Sequence, residues 1–333
     1  MKVEKKQCIL TFLLLFVSIL LFSVSATANE TEDENRTIVT TGTLGRNGAE
    51  WILYDDGVVE VGGGTINTRF SPWHSHRGHS HREDIKTIVF TEPIIAGEQL
   101  VELFAFLHEL THIENASYID TTNVTDMSQM FERTGRLVSV DVSNWNTGNV
   151  TDMSRMFLAS GIETIDVSNW DTSSVTDMGA MFFGTRIRTL DVSNWDTSNA
   201  QRMRGMFEHA GRLNTLTIGE NFRATERTSI PRIRPSDIYT GRWQNIGNGT
   251  AEEPDGEYIL TSRQLMTHLT HENGADTFIW QRNPRFHTVQ WGDTLSELAV
   301  RYETTVEKLV QLNNIENPDF ILVGEILTLS VSD

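Results

Sequence analysis

The chain has 333 residues, of which 38% are hydrophobic and eight are tryptophan, and a formal net charge of −18. That is enough apolar material for real cores and enough length for two or three domains. The acidic balance argues against nucleic-acid binding, which calls for a basic face.

Taken in chain order, residues 1–28 read as a secretory signal peptide. Lys2, Lys5 and Lys6 precede an apolar run from Ile9 to Val24, and Ala26-Thr27-Ala28 forms a small-residue cleavage site. The run is shorter than the ~20 residues a membrane span needs, so no membrane anchor is expected after cleavage. Cys8 is the one cysteine and precedes the run, which excludes a lipoprotein cysteine and leaves the mature chain without disulfides. The signal carries three Lys against Glu4, or +2, so the mature charge becomes −18 − 2, near −20.

Residues 29–103 are expected to form an N-terminal cap region. Asn29 to Arg36 is a polar, acidic lead expected to be disordered. Trp51 to Gly64 alternates around Asp55-Asp56-Gly57, a hairpin signal. A loop from Ser71 to Asp84 follows and carries His74, His76, His79 and His81, a spacing that could hold a metal but is read as a solvated loop. Ile85 to Phe90 reads as a strand, and Gly97 to Leu107 is helical in period.

His108-Glu109-Leu110-Thr111-His112 matches HExxH, in which two histidines one helical turn apart bind zinc and the glutamate acts as base. It resembles the pentapeptide of thermolysin-type peptidases, which makes a zinc metallopeptidase the alternative reading. The downstream glutamate ligand of that family has no match, and the longer zincin pattern would need a histidine where Tyr118 stands. The expectation is therefore no catalytic residue, no metal and no cofactor.

Residues 104–225 repeat. Met-Phe pairs fall at 130–131, 156–157, 181–182 and 206–207, and tryptophans at Trp145, Trp170 and Trp195, spaced by 25 or 26 residues. A period in this range means a solenoid. Three apolar columns align: Leu137, Ile162, Ile187 and Leu213; Val140, Ile165, Leu190 and Leu216; Val142, Val167, Val192 and Ile218. The last two alternate with polar residues, so each unit should contain a short strand with one buried face. Asp126, Asp152 and Asp177 should cap a single helical turn, and the methionines should point inward. Phe104 to Val124 reads as a worn first unit. Asp141, Asp166 and Asp191 stack on the exposed face, where serines and water are expected to suffice without calcium.

The VTDMS, MF and DVSNWDTS strings resemble leucine-rich repeats of the BspA type, found in bacterial surface proteins and mycoplasma-type lipoproteins. That resemblance implies an adhesin-like interaction protein with no enzymatic activity. SPW at 71–73 and YTGRWQNIGNGT at 239–250 resemble the flanks of surface proteins of low-GC Gram-positive bacteria.

Residues 226–285 are expected to form a C-terminal cap or spacer, with breaks at Ile230-Pro231 and Arg234-Pro235, a helix over Thr261 to Leu269, a strand over Thr277 to Gln281 and a boundary at Pro284. Residues 286–333 read as β-α-α-β. Phe286 to Val289 and Ile326 to Leu329 are strands, Thr294 opens a helix through Tyr302, and Val306, Leu309, Val310 and Leu312 supply a second helix. Gly292-Asp293-Thr294-Leu295, Ala299, Tyr302, Leu309, Asn313, Asn317-Pro318, Ile321 and Gly324 resemble the landmarks of a LysM domain, which binds peptidoglycan or other N-acetylglucosamine polymers. The resemblance implies a carbohydrate site formed by Gly292, Asp293, Thr294 and Leu295 on one side and Asn317, Pro318, Asp319, Phe320 and Ile321 on the other. Leu295, Phe320 and Ile321 would give apolar contact to the sugar. Phe286-His287 replaces the family's usual opening tyrosine.

The expected fold is α+β: a leucine-rich-repeat solenoid with a β-rich N-terminal cap, followed by a small βααβ LysM domain. The expected function is a secreted, cell-wall-associated binding protein whose solenoid faces a host or cell-surface ligand. A cell-wall hydrolase is a further alternative, although the repeats show no paired-carboxylate or Cys/His constellation.

Overall fold

The computed structural model describes residues 36–66, 68, 72–73, 81–225, 227–236, 238–252, 254–271, 274–283, 286–302 and 304–329. The signal peptide, most of the acidic lead, His74, His76, His79 and Pro284 lie outside them.

The body of the chain is a β-solenoid of about 6 turns. It begins with β1 (Ile38–Thr43), β2 (Glu50–Tyr54), β3 (Val58–Val61), β4 (Gly64–Ile66), β5 (Thr87–Phe90), β6 (Ile94–Ala96), β7 (His112–Glu114) and β8 (Ile119–Asp120). β2 and β3 form the expected antiparallel hairpin, with Trp51 opposite Val61. From β3 onward the pairing is parallel. Val58 faces Thr87 and Thr87 faces His112 in one sheet, while Ile94 faces both Gly64 and Ile119 in another. The solenoid therefore starts inside the segment 29–103 expected to be a cap. The β5 to β7 step keeps the 25-residue spacing, but the repeated text is gone, so the sequence hides these turns.

Each repeat passes through a run of consecutive turns rather than the expected single helical turn. Alternate amides in the run point along the solenoid axis: Met127, Gln129, Phe131 and Arg133 donate to the carbonyls of Asp152, Ser154, Met156 and Leu158 at 2.8–2.9 Å. Two residues per run adopt left-handed φ to aim those amides. One column is Glu102, Gln129, Arg155, Ala180 and Gly205, and the other is Phe106, Arg133, Ala159, Gly184 and His209. A helix would keep these donors inside the unit; here they join neighbouring units. Asp126, Asp152 and Asp177 still start each run, by accepting from the amide two residues on at 2.8–2.9 Å. Gly97 to Leu107, expected as a helix, contains the same run: Leu100, Glu102, Phe104 and Phe106 donate to the next turn in the same way.

The core is a column of rings. Phe104, Phe131, Phe157, Phe182 and Phe207 stack with successive centroids 5.2–6.0 Å apart. The eight methionines of the repeats lie buried beside them, as expected of a core stripe. The three apolar columns are buried too, with Ile165 partly so.

The expected strands pair regularly only at β9 (Thr189–Val192) and β10 (Thr215–Ile218), in parallel register. At 138–142 and 163–167 the ladder opens after Glu163 and Thr164 donate to the Val138 carbonyl. The indoles explain the difference. Trp145, Trp170 and Trp195 reach back to donate to the carbonyls of Ala116, Val142 and Val167 at 3.0–3.1 Å. A side-chain donor takes the place of a backbone one and holds the turns apart. Asn221 stands in the column of Trp195, no indole reaches back, and β9 and β10 close.

The C-terminal side of the stack is covered by β11 (Tyr239–Asn245), β12 (Ile259–Leu260), α1 (Ser262–His271) and β13 (Asp276–Arg282). β13 lies antiparallel between β10 and β11. Helix α1 starts with a capping box, in which Thr261 and Gln264 exchange side-chain to backbone bonds at 2.9 and 3.3 Å. Strand β11 was not anticipated; its Trp243 is fully buried and donates to Ser262.

Candidate functional site

The last elements are β14 (Phe286–Thr288), α2 (Leu295–Arg301), α3 (Val306–Asn313) and β15 (Ile326–Thr328). They follow the expected β-α-α-β order. β14 and β15 pair antiparallel, with His287 opposite Leu327. Thr294 and Thr305 cap the two helices, each accepting from the amide three residues on at 3.2 Å. Asn313 fastens α3 to β15 by donating to the Thr328 carbonyl at 2.8 Å and accepting from its amide at 2.6 Å. Val289, Leu295, Leu298, Ala299, Leu309, Leu327 and Leu329 form the core.

Two loops meet at one end of this module. Val289 donates to the Glu325 carbonyl and Gly324 donates back to the Val289 carbonyl, both at 2.8 Å. This pair of bonds sets the loop before α2 against the loop before β15. Gly292 and Gly324 sit at φ +92 and +90, where a side chain would be strained.

The expected sugar-binding residues divide into two groups. Gly292, Thr294, Asn317, Pro318, Asp319 and Phe320 are exposed on the two loops. Leu295 is 3% exposed and belongs to the core, so it offers no face to a sugar. The reason is helical spacing: it shares a face with Leu298 and Ala299. Ile321 packs partly against the same core.

Asp293 is turned inward. Its carboxylate accepts from the Gln290 amide at 2.7 Å, lies 2.6 Å from His287 Nε2 and is reached by Arg301 at 3.4 Å. These partners, the Gln290 amide first and the His287 side chain second, hold its carboxyl below the ordinary range. The other ring nitrogen of His287 lies 2.9 Å from the Tyr302 hydroxyl. His287 is itself buried, so the substitution at the family's opening tyrosine brings a polar group into the core. Tyr302, His287 and Asp293 form one chain of bonds beneath the loop before α2.

Sequence reasoning missed Trp291. Its side chain is 92% exposed, beside Gly292, and Phe320, Leu322 and Val323 are exposed on the facing loop. A large aromatic left in water is the kind of surface that stacks on a ligand. The available signal was an aromatic residue directly before the Gly-Asp turn.

HELTH is not a zinc helix. Residues 108–109 lie in a turn, 110–111 are irregular, and His112 opens β7. Leu110 is fully buried, in the place of Leu137 in the next unit, while Glu109 pairs with Arg136 at 2.6 Å. The two histidines therefore lack the one-turn helical spacing that zinc requires. Of the histidine-rich loop 74–81, only His81 is described, and it binds Asp84 at 3.1 Å. Among the described residues, no group of three or more His, Cys, Asp or Glu could hold a metal ion. Asp141, Asp166 and Asp191 accept from the amides of Ser143, Ser168 and Ser193 at 2.9–3.2 Å. The Ser168 hydroxyl, more than its amide, lowers the Asp166 pKa. Among the described residues, no helix is long and apolar enough to cross a membrane.

Two family models match parts of this chain. Residues 98–221 match the family described as Mycoplasma protein of unknown function, DUF285. Residues 287–330 match the LysM domain. A solved structure, described as a leucine rich cell surface protein from Faecalibacterium prausnitzii A2-165, is 14% identical with a TM-score of 0.21. The match covers 59% of this chain and 58% of that one, so the chain spans less than two thirds of its length. The chain carries repeats of the BspA type followed by a LysM domain.

Proposed function

We propose that this is a secreted, cell-wall-associated binding protein. In this reading its LysM module docks on peptidoglycan, and its solenoid presents an adhesin-like surface to a host or cell-surface ligand. The observation that carries the reading is the pair of bonded loops in the LysM module, with Trp291 and Phe320 exposed beside Gly292, Thr294 and Asn317. Exposed aromatic faces next to short polar groups and free backbone suit an acetamido sugar. Secretion rests on the character of residues 1–28. The protein acts by binding rather than by catalysis, and a cell-wall zymogram should stay without clearing.

The test is sedimentation with purified peptidoglycan, run in parallel on chitin. The full chain should be retained, and the chain lacking residues 286–333 should stay in the supernatant. Retention that survives the deletion overturns the proposal. A single module binds weakly, so presenting the protein on beads raises the signal through avidity.

A further inference from the structure

The turn runs of the solenoid carry one local departure from their own repeat. The column Ser128, Ser154, Gly179, Arg204 loses its side chain at the third unit. The neighbouring column Gln129, Arg155, Ala180, Gly205 shrinks at the third and fourth. The result is an open groove of about 1030 Å³ with Gly179, Ala180 and Gly205 in its lining. Among the described residues, Arg155, Arg202, Arg204 and Arg227 line it, with the two acids Asp177 and Glu208.

That balance runs against a chain of net charge −18. Asp177 is already committed, since Arg202 donates to it and lies 25 residues on, in the next unit. Arg155, Arg204 and Arg227 are exposed. Among the described residues, none of their guanidinium groups makes a hydrogen bond or a close ion pair. Arg155 acts on Glu132 only through its field.

We infer that this groove binds an acidic polysaccharide, with Arg155, Arg204 and Arg227 reading its negative groups. Guanidinium forks suit carboxylates and phosphates, which they bind in bidentate fashion. Arg204 and Arg227 take corresponding places in successive units, where the amides of Ala180 and Gly205 donate to their carbonyls, and Arg155 stands in the neighbouring column, which suits a ligand carrying several charges. Ser154 and Gln201 lie among them and can bond neutral hydroxyls, while the Gln129 amide donates to Glu102 at 3.0 Å. That mixture favours a sugar polymer over an acidic peptide. The site is separate from the LysM module and does not depend on N-acetylglucosamine.

Calorimetric titration of the full chain at low salt tests this, with oligogalacturonate as a carboxylate probe and a phosphomannan as a phosphodiester probe. Neutral dextran and polyglutamate are the controls. Binding to either acidic glycan, weakened by added salt, is expected, and the stronger of the two identifies the charged group. The triple variant Arg155→Ala, Arg204→Ala, Arg227→Ala should weaken binding at least about tenfold. Ala180→Asp should do the same, because Asp tolerates the left-handed φ there and puts a negative charge into the groove lining. Arg186→Ala with Arg188→Ala, outside the groove, should change nothing. The inference is overturned if neither glycan binds above dextran, if polyglutamate binds as well, or if the Arg186/Arg188 control loses as much as the triple variant. A folded triple variant that keeps full affinity also overturns it.

Discussion

Trp170 donates its indole N–H to the carbonyl of Val142, 28 residues earlier, at 3.1 Å, while the amide of Trp145 reaches the same carbonyl at 3.2 Å. One acceptor thus serves its own turn and the next. Trp170→Phe keeps a ring but removes the second donor, and should cost about 1 kcal/mol in urea denaturation. Trp170→Ala also opens a cavity and should cost about 3–5 kcal/mol. A Trp170→Phe variant as stable as the parent would show that packing alone matters there.

The buried threonines make a parallel argument. Thr121, Thr147, Thr172 and Thr197 each donate to a carbonyl of the following unit at 2.9 Å. Thr172→Val preserves the shape and removes the donor, so stability should fall by about 1–2 kcal/mol, with the Asp196 carbonyl left short of a partner. Thr172→Ser keeps the donor and should fall by less. Thermal melts of the two variants side by side check the order.

The repeat text made the core legible. Columns of Leu, Ile, Val, Met and Phe at fixed spacing can only be a stack, and the structure buries them as expected. What the text could not show was where backbone donors point. Left-handed residues at Gln129, Arg155 and Ala180 are not glycines, so nothing in their identity flags the turn. The early turns were hidden because Leu103-Phe104 replaces Met-Phe and no Asp-Met-Ser string precedes it. In the terminal module the helix caps and strand ends were readable almost to the residue. Leu295 was misassigned to the sugar because a residue beside a binding loop can equally be the first core position of a helix.

Trp291 and Leu295 should separate binding from folding. Trp291→Ala removes a side chain that is 92% exposed, so the melting temperature should not move. Peptidoglycan retention should fall about tenfold, as for an aromatic anchor. Leu295→Ala should instead destabilise the module by about 2–5 kcal/mol. Retention unaffected in Trp291→Ala would remove that residue from the site.

Asp293 sets an acid limit for the same module. Its carboxyl titrates below the ordinary 3.8 in the folded chain. Between those two values the unfolded chain binds more protons, so stability rises with pH. The contribution is complete above 3.8 and is lost as pH falls through the lowered value. Asp293→Asn should therefore be less stable than the parent at pH 6, and the gap should close on acidification. Melts between pH 2 and pH 6 read this directly; a constant gap would mean that the carboxylate charge contributes nothing.

Glu132 behaves in the opposite sense. It is buried, its Oε2 has no partner among the described residues, and burial raises its pKa above 4.5 against the opposing pull of Arg155 and Arg133. The folded chain holds the proton longer, so stability falls as pH rises from 4.5 through the raised value. Glu132→Gln should raise the melting temperature at pH 7 more than at pH 4.

The parallel ladder ends on antiparallel strands on both sides, β2 against β3 and β13 against β10. In the two five-stranded sheets the parallel strands β3 and β10 thus have antiparallel neighbours instead of free edges. The array can lengthen through the gene. A duplicated unit inserted beside Trp170 would bring its own indole, threonine and axial amides, and both ends would stay as they are. Relatives should differ in reach by whole turns, about 5 Å each, with the closing strands unchanged.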